Sequence, residues 1–359
     1  MQFNVNLGTR SYPIQLENEA AATLPSLLKT TFPKNRFALV TNSTVAGLYA
    51  DLIAGWKSTL DCVVYEMPDG EQFKTIETWS AILDFLLASK LERSSIIIAL
   101  GGGVVGDVTG FAAAAFLRGV GYVQVPTTLL AMVDSSVGGK TAVDHPTGKN
   151  LIGAFHQPKL VYIDTSFLST LPDREFLSGY AELFKNAFIG GREMFDFVLA
   201  NHTAMVAKEM PVLLDGIRRS IAVKAGVVEK DECETSGLRA LLNFGHTFAH
   251  ALERYFNFRT LLHGEAVWWG MHCAVNCSKR AGLLGCEADD LYAAITGLMP
   301  KPPLPEKPDP RRLFDMMFTD KKVAGGKLRL VLPTIPGISV VRSDIPEGIV
   351  RSVLTAVFG

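Results

Sequence analysis

The run SSIIIALGGGVVGDVTGFAAAAFLRG, residues 94–119, constrains the fold more than any other segment. Its apolar length would suit a membrane span, but Asp107 and six glycines interrupt it. This favours a buried strand, a tight turn and a helix. Gly101, Gly103 and Gly106 have G-x-G-x-x-G spacing in the turn, which lets backbone N–H groups approach a pyrophosphate. Close packing of a helix on a sheet is the alternative role of these glycines.

The order of apolar segments predicts an α/β first half. FNVNL and SYPIQL alternate like a short hairpin, and strand-like runs followed by helical segments come after them. Runs this apolar are typical of a mostly parallel sheet covered by helices. Further on, segments with a 3.6-residue period replace this pattern, apart from KLRLVLPT, a candidate strand of a late hairpin. We therefore predict a Rossmann-like α/β domain with a mostly parallel sheet over residues 1–172 and an all-α domain over residues 173–359.

Composition narrows the class of protein. At 359 residues and a net charge of −1, the chain suits two domains and lacks the basic surplus of a nucleic-acid binder. No basic segment followed by an apolar core opens the sequence, so no secretory signal is expected. Five cysteines without CxxC pairs are typical of reduced thiols. We expect a cytoplasmic enzyme that binds neither nucleic acid nor membrane.

Three of the seven histidines fall close together in the second half. His246 and His250 are about one helical turn apart and share a helix face, and His263 is expected in the loop beyond. HTFAH lacks the glutamate of the HExxH metalloprotease helix. The apolar helix GYAELFKNA adds Glu182, and one carboxylate with two histidines would leave Zn²⁺ an open position. The alternatives are histidines without a metal and a surface ion pair between Glu182 and Lys185.

Two polar segments follow apolar strands of the first half. In PDGEQFKT, Glu71 could hold ribose hydroxyls and Lys74 could balance a charge, since ligands collect at the strand ends of open α/β sheets. MVDSSVGGKTAVDHPTGKN is expected to be a Gly-rich loop for phosphate or carboxylate recognition, with a solvated hairpin as the alternative. Its candidate side chains are Asp134, Lys140, Asp144, Lys149 and Asn150. The carboxylate that a Rossmann fingerprint places after the next strand is missing from QVPTT.

Together these segments resemble the 3-dehydroquinate synthase family of sugar-phosphate cyclases. The resemblance runs from about residue 36 to about residue 332. It rests on DGEQFK, GGGVVGD, RGV, VPTTLLAMVDSSVGGKTAVD, GKNLIGAFHQP, FLSTLP, GYAELFK, GLRALLNFGHTFAHALE, LHGEAV and DKK. It implies an N-terminal NAD-binding α/β domain and a C-terminal helical domain, with the active site in the cleft between them.

The resemblance implies roles for particular residues. A divalent metal, Zn²⁺ or Co²⁺, would be bound by Glu182, His246 and His263. NAD contacts would be Asn42, Asp69, Gly70, Glu71, Gln72, Phe73, Lys74, Gly102, Gly103, Val104, Val105, Gly106, Asp107, Thr127, Thr128, Lys140, Lys149, Phe167, Leu168, Ser169 and Thr170. Substrate and catalytic contacts would be Arg118, Asp134, Lys140, Asn150, Lys185, Lys224, Glu234, Arg239, Asn243, His250 and one of Lys321 and Lys322.

Two features of the sequence depart from the family's pattern. Asn42 stands where many relatives carry an aspartate for the adenosine ribose. The segment between Glu234 and Arg239 is one residue longer than is usual.

The reaction that the resemblance implies converts 3-deoxy-D-arabino-heptulosonate 7-phosphate to 3-dehydroquinate and phosphate in the shikimate pathway. NAD⁺ would take and return a hydride at C5, with His250 as a candidate proton relay. Phosphate would leave by β-elimination, and an aldol step would close the carbocycle. A homodimer is also implied, in which Arg118 reaches the other protomer's site; a plain helix C-terminal cation is the alternative.

Three other functions compete with this one. Another sugar-phosphate cyclase would make deoxy-inosose or a valiolone. A metal-dependent alcohol dehydrogenase would release NADH. A nucleotide-binding regulator would need no metal triad and would turn over nothing.

Overall fold

A seven-stranded sheet forms the centre of the first of two units, Met1–Phe176 and Leu177–Gly359. This computed structural model describes residues 1–298, 301–318 and 328–359. The strands of the first unit are β1 (Gln2–Val5), β2 (Tyr12–Glu17), β3 (Phe37–Asn42), β4 (Val63–Met67), β5 (Ile96–Gly101), β6 (Gly121–Pro126), β7 (Lys140–His145), β8 (Gly148–Phe155) and β9 (Leu160–Asp164). The sheet order is β1-β2-β9-β6-β5-β3-β4. Within this seven-stranded sheet only β1 and β2 pair antiparallel, so the predicted mostly parallel sheet is confirmed.

The helices of the first unit alternate with these strands. They are α1 (Leu24–Thr31), α2 (Ser43–Leu48), α3 (Ala50–Leu60), α4 (Ile76–Ala88) and α5 (Gly103–Ala115). Strands β3 and β5 are buried along their whole length, which explains their uniformly apolar sequences. Asn42 and Thr75 cap α2 and α4 with their side chains. Helices α2 and α3 are separated by Tyr49, whose backbone is not helical.

The segment predicted as a Gly-rich loop is instead the antiparallel hairpin of β7 and β8. Gly138 and Gly139 precede it with φ of 101° and 65°, a left-handed conformation that glycine adopts without strain. Thr141, Ala142 and Val143 in β7 are buried, and Val143 joins the main apolar core. The loop prediction is therefore wrong, and the hairpin is partly a core element instead of a solvated one.

The second unit is mostly helical. Its elements are α6 (Asp173–Lys185), α7 (Arg192–Val206), α8 (Met210–Lys230), α9 (His246–Tyr255), α10 (His263–Arg280), α11 (Cys286–Leu298), α12 (Pro310–Met317), β10 (Leu330–Ile335), β11 (Ile338–Arg342) and α13 (Glu347–Phe358). The last two strands form the hairpin that KLRLVLPT predicts, and it is the one departure from an all-α description in the part of this unit that the structure describes. No helix in the described ranges combines the length and apolarity that a membrane crossing requires.

Candidate active site

Three potential metal ligands come from three helices of the second unit. Glu182 lies on α6, His246 is the first residue of α9, and His263 is the first residue of α10. The loop predicted for His263 is wrong, because α10 already begins at this residue. The carboxylate of Glu265 accepts the backbone N–H of Leu262 over 2.8 Å, which caps the helix just ahead of the histidine.

The three ligand atoms have the spacing of a metal site. Glu182 Oε1 lies 3.5 Å from His246 Nε2 and 3.5 Å from His263 Nε2, and all three atoms lie within 4.8 Å of one another. Metal–ligand bonds of about 2.0–2.1 Å in a tetrahedral arrangement place neighbouring ligand atoms about 3.4 Å apart. Across the described residues, no other set of three such side chains comes together in this way.

Each histidine is held through its Nδ1 atom. His246 Nδ1 lies 3.1 Å from the carbonyl oxygen of Phe244, and His263 Nδ1 lies 3.2 Å from Oε1 of Glu253. Carbonyl and carboxylate oxygens accept hydrogen bonds, so we assign the ring proton to Nδ1 in both histidines. In the neutral rings, both Nε2 lone pairs are then available to a cation.

The carboxylate of Glu182 is buried, with 1% of the side chain exposed. Lys185 forms an ion pair with its Oε2, yet within the described ranges neither oxygen accepts a hydrogen bond of normal geometry. Burial favours the neutral acid, but Lys185 and His263 outweigh this and hold the pKa of Glu182 well below its usual range. A buried, ionised carboxylate that faces two imidazoles fits a cation ligand. The surface ion pair considered for Glu182 and Lys185 is wrong, since both side chains are buried.

Two glycines allow the ligand-bearing helices to approach one another. A Cβ on Gly264 would overlap the backbone carbonyl of Ser178, which lies one turn before the glutamate ligand. A Cβ on Gly270 would likewise overlap the carbonyl of Gly245, the residue before α9. Gly264 N–H also donates to Ser178 Oγ over 3.1 Å. These contacts set α10 against α6 and α9 at the separation the triad requires.

Other candidate substrate residues of the second unit lie on neighbouring elements. Lys224 on α8 and Arg239 are buried, while Asn243 and His250 are partly exposed. The His250 ring lies 5.7 Å from the His246 ring, centroid to centroid, but His250 is not among the three clustered ligands. Lys321 and Lys322 lie outside the described residues.

The longer segment before Arg239 folds around a buried carboxylate. Asp231 accepts the backbone N–H groups of Thr235, Ser236 and Arg239 over 2.8, 3.0 and 3.1 Å. Those bonds hold the pKa of Asp231 at about 2. Glu234 Oε1 lies 3.7 Å from Arg239 Nε, so these two side chains remain adjacent despite the extra residue.

In the first unit, the glycine turn lies at the carboxyl end of β5. Gly102 immediately precedes α5 and Gly103 is its first residue, which leaves N–H groups of the helix start free of intrahelical partners. Gly106 has a different role, because a Cβ there would come 2.6 Å from Gln124 Oε1 on β6. Close packing, one of the two roles considered for these glycines, is therefore seen at Gly106, and approach to a pyrophosphate stays a prediction.

A carboxylate stands beside the neighbouring strand ends. Strand β3 lies between β5 and β4, and Asn42 ends β3. Asn42 Oδ1 accepts the N–H of Val45 over 2.9 Å, and its Nδ2 donates to Asp69 Oδ1 over 2.6 Å. Thr44 Oγ1 donates to Asp69 Oδ2 over 2.6 Å. Asn42 thus uses both amide atoms within the protein and holds the carboxylate of Asp69 at this edge.

Lys74 connects the segment after β4 to α5 and to the hairpin. Its buried Nζ donates to Asp107 over 2.6 Å and to Asn150 Oδ1 over 2.5 Å. Burial lowers its pKa, but the carboxylates of Asp107 and Glu71 more than offset this, and the pKa ends above its usual value. Lys149 pairs with Glu71 over 3.2 Å. The candidate nucleotide and substrate residues here form one polar network.

The remaining candidates of the first unit lie in turns or at strand ends. The group comprises Gly70, Gln72 and Phe73 after β4, Val104 and Val105 in α5, Thr127 and Thr128 after β6, Asp134 in a π-helical turn, Lys140 at the start of β7, and Phe167, Leu168, Ser169 and Thr170 after β9. Arg118 follows α5. Arg118 has a φ of 70° and Leu117 has a φ of 48°. This left-handed conformation is costly for residues other than glycine.

Solved structures share this architecture. A 2-epi-5-epi-valiolone synthase from Streptomyces hygroscopicus subsp. jinggangensis 5008, with NAD⁺ and Zn²⁺ bound, has a TM-score of 0.86, 27% identity and 96% coverage of both chains. A 2-deoxy-scyllo-inosose synthase in complex with carbaglucose-6-phosphate, NAD⁺ and Co²⁺ has a TM-score of 0.86, 25% identity and 99% coverage of both chains. A probable glycerol dehydrogenase from Sinorhizobium meliloti 1021 shares the fold alone, with a TM-score of 0.61 and 13% identity. Over almost its whole length, this chain is similar to these two sugar-phosphate cyclases.

Family models narrow this class. Those of the 3-dehydroquinate synthase N-terminal and C-terminal domains match residues 64–178 and 179–323. A 3-dehydroquinate synthase of Nitrosospira multiformis is 46% identical over 96% of this chain and 94% of its own length. That of Saccharophagus degradans is 48% identical over 94% and 93%. The chain belongs to the 3-dehydroquinate synthase family, and the resemblance inferred from its motifs is confirmed.

Proposed function

We propose that this chain converts 3-deoxy-D-arabino-heptulosonate 7-phosphate to 3-dehydroquinate and phosphate. The observation that carries the proposal is the match of both halves to 3-dehydroquinate synthases at 46–48% identity over nearly the whole chain. The fold and the triad alone would also suit the cyclases that act on other sugar phosphates. Because phosphate would leave by β-elimination, the enzyme would be a carbon–oxygen lyase.

We infer that NAD⁺ and one divalent ion, Zn²⁺ or Co²⁺, are its cofactors. When bound, NAD⁺ accepts and returns a hydride, and the ion polarises the C5 oxygen. Glu182, His246 and His263 would hold the ion. The N–H groups at the start of α5 would receive the diphosphate of the nucleotide, and Asp69 would receive its adenosine ribose.

Basic side chains would bind the charged ends of the substrate. Lys140, Lys224 and Arg239 supply positive charge for a phosphate and a carboxylate. Lys185 would act beside the metal, since it already pairs with Glu182. His250 lies next to His246 and is the candidate that relays the C5 proton. Oxidation at C5 acidifies the C6 proton, so the elimination needs only a weak base such as the departing phosphate.

We propose a homodimer in which Arg118 contributes to the site of the other protomer. Leu117 and Arg118 both adopt left-handed backbone conformations, and such strain in residues other than glycine is typical of functional positions. Arg118 is also exposed, so its guanidinium is accessible to a second protomer.

A cytoplasmic setting is also a proposal. It is supported by the free thiols of Cys62, Cys233, Cys273 and Cys277, which suit a reducing compartment.

Phosphate release from the heptulosonate phosphate, with and without NAD⁺, tests the function. We expect NAD⁺-dependent release of phosphate without a lasting rise in absorbance at about 340 nm, because the hydride is returned in each turnover. NADH formed in proportion to product would indicate a dehydrogenase instead. Parallel assays with the phosphates used by deoxy-inosose and valiolone synthases should show little turnover, and a preference for either would contradict the proposed substrate.

A further inference from the structure

Glu253 is a buried carboxylate that the motif analysis did not assign. It lies on α9, about two helical turns after His246, and is 3% exposed. This spacing places it on the same helix face as that ligand, which is the signal in the sequence that could have identified it. Its Oε1 accepts from Nδ1 of His263 over 3.2 Å. Glu253 therefore contacts a candidate ligand on the side away from the metal position.

The two histidines are supported in chemically different ways. The Nδ1 partner of His246 is the neutral backbone carbonyl of Phe244, whereas the partner of His263 is an anionic side chain. A carboxylate that accepts from Nδ1 fixes the orientation of the ring and makes its Nε2 a stronger electron-pair donor. On the opposite edge of the same ring, Nε2 lies 3.5 Å from Glu182 Oε1. Glu253, His263 and Glu182 therefore form a chain of contacts.

We propose that Glu253 is a positioning residue that orients His263 and strengthens it as a metal ligand. The inference rests on the proposed metal centre and adds a residue to it. Glu253 would act through the imidazole of His263 and would not itself be a metal ligand. Its effect is on the affinity and the ligand field of the ion, which can be measured without turnover.

A purely structural role of Glu253 predicts that its removal changes metal affinity in the opposite direction. If Glu253 served only as the ion-pair partner of a protonated His263, it would favour the form that cannot bind metal. Removing the carboxylate would then leave metal affinity unchanged or increase it. The two explanations differ in the direction of the effect.

Chelator-stripped proteins titrated with Co²⁺, and with Zn²⁺ against a chromophoric chelator, provide the test. We expect Glu253→Ala to bind both ions about 10-fold or more weakly than the unmodified chain, with a changed visible Co²⁺ spectrum. Glu253→Gln keeps the side-chain volume and a hydrogen-bond acceptor but loses the charge. Its metal affinity should therefore be several-fold lower than that of the unmodified chain but higher than that of Glu253→Ala.

Glu265→Gln is the matched control. It neutralises another buried carboxylate close to His263, but the amide oxygen of glutamine can still accept the backbone N–H of Leu262 that this carboxylate caps. Affinity in this variant should stay near that of the unmodified chain, and an equal loss would show a general loosening of the start of α10.

The outcomes separate failure of this inference from failure of the proposed function. Unchanged or tighter binding in Glu253→Gln or Glu253→Ala overturns the role of Glu253 alone. If the unmodified chain binds no stoichiometric divalent ion, the metal centre itself is wrong. Should Glu253→Ala not fold, the titration of Glu253→Gln decides the question.

Discussion

Asn42 shows how the structure redistributes a role at the scale of one residue. Its amide is committed to Val45 and Asp69, so the neighbouring carboxylate is the better acceptor for a ribose hydroxyl. We propose that Asp69, which follows β4, supplies the acidic residue that the glycine turn lacks, although this strand precedes the turn in sequence. The order of the strands in the sheet determines which carboxylate lies beside the turn, and local sequence patterns do not specify that order.

Asp69→Ala tests this assignment. Removal of the carboxylate should raise the KM for NAD⁺ about 10-fold or more with little change in kcat, since a hydrogen bond to a charged group contributes about 1.5–3 kcal/mol. Thr44→Val is the control, because it removes one donor to Asp69 and keeps the charge. Steady-state kinetics with varied NAD⁺ measure this effect. An unchanged KM for NAD⁺ in Asp69→Ala would contradict the assignment.

At the scale of elements, patterns of the sequence predict most of the fold. Alternating strands and helices, the late hairpin and the glycine turn all follow from local periodicity and turn chemistry. For the segment of β7 and β8 the sequence leaves a loop and a solvated hairpin open, because glycines and charged residues mask the two strands. The position of His263 depends on the cap formed by Glu265. The contact between Glu253 and His263 joins two helices, and no single-segment pattern reports it.

The loop around Asp231 gives an element-scale prediction about pH. The pKa of Asp231 is held at about 2, against about 3.9 in an unfolded chain. A depressed pKa in the folded state adds stability above the unfolded pKa, and this contribution is lost as the pH falls from about 4 to about 2. Asp231→Asn should therefore flatten the dependence of stability on pH in that window.

Urea unfolding at a series of pH values measures this slope. At neutral pH, Asp231→Asn should also raise the KM for the sugar phosphate, because Arg239 would lose the acceptor of its backbone N–H. Identical acid slopes for the two proteins would rule out Asp231 as the titrating group.

At the scale of the whole molecule, Arg118 gives a prediction about assembly. Arg118→Ala and His246→Ala should each be nearly inactive as homodimers. Refolding equal amounts together gives half heterodimers by random pairing, and each heterodimer contains one site with both lesions and one site with neither. Activity should return to about a quarter of the unmodified level if the sites act independently.

A purely intrasubunit role for Arg118 gives a different result. Every site of a heterodimer would then carry one lesion, and no activity would return. Native mass spectrometry should first verify that heterodimers form. Continued inactivity of verified heterodimers would falsify the shared site.

Metal removal gives a second prediction at this scale. An ion that binds only the folded second unit stabilises it by about 2.7 kcal/mol at a concentration of 100 times its Kd, so a chelator should lower its melting temperature by about 5–10 °C. Glu182→Gln is the control, since it should melt at the lower temperature with or without chelator. Calorimetry that showed no chelator effect on the unmodified chain would contradict this coupling.

The placement of the ligands along the chain has a further consequence. Glu182 and His263 are separated by about eighty residues, and bringing such distant points together costs an unfolded chain about 4 kcal/mol of entropy. An ion held at both points would therefore act as a reversible cross-link across α7, α8 and α9. Unlike a disulfide, this cross-link needs no oxidant and opens whenever the ion departs. The lifetime of the folded second unit would then follow the supply of free metal around it.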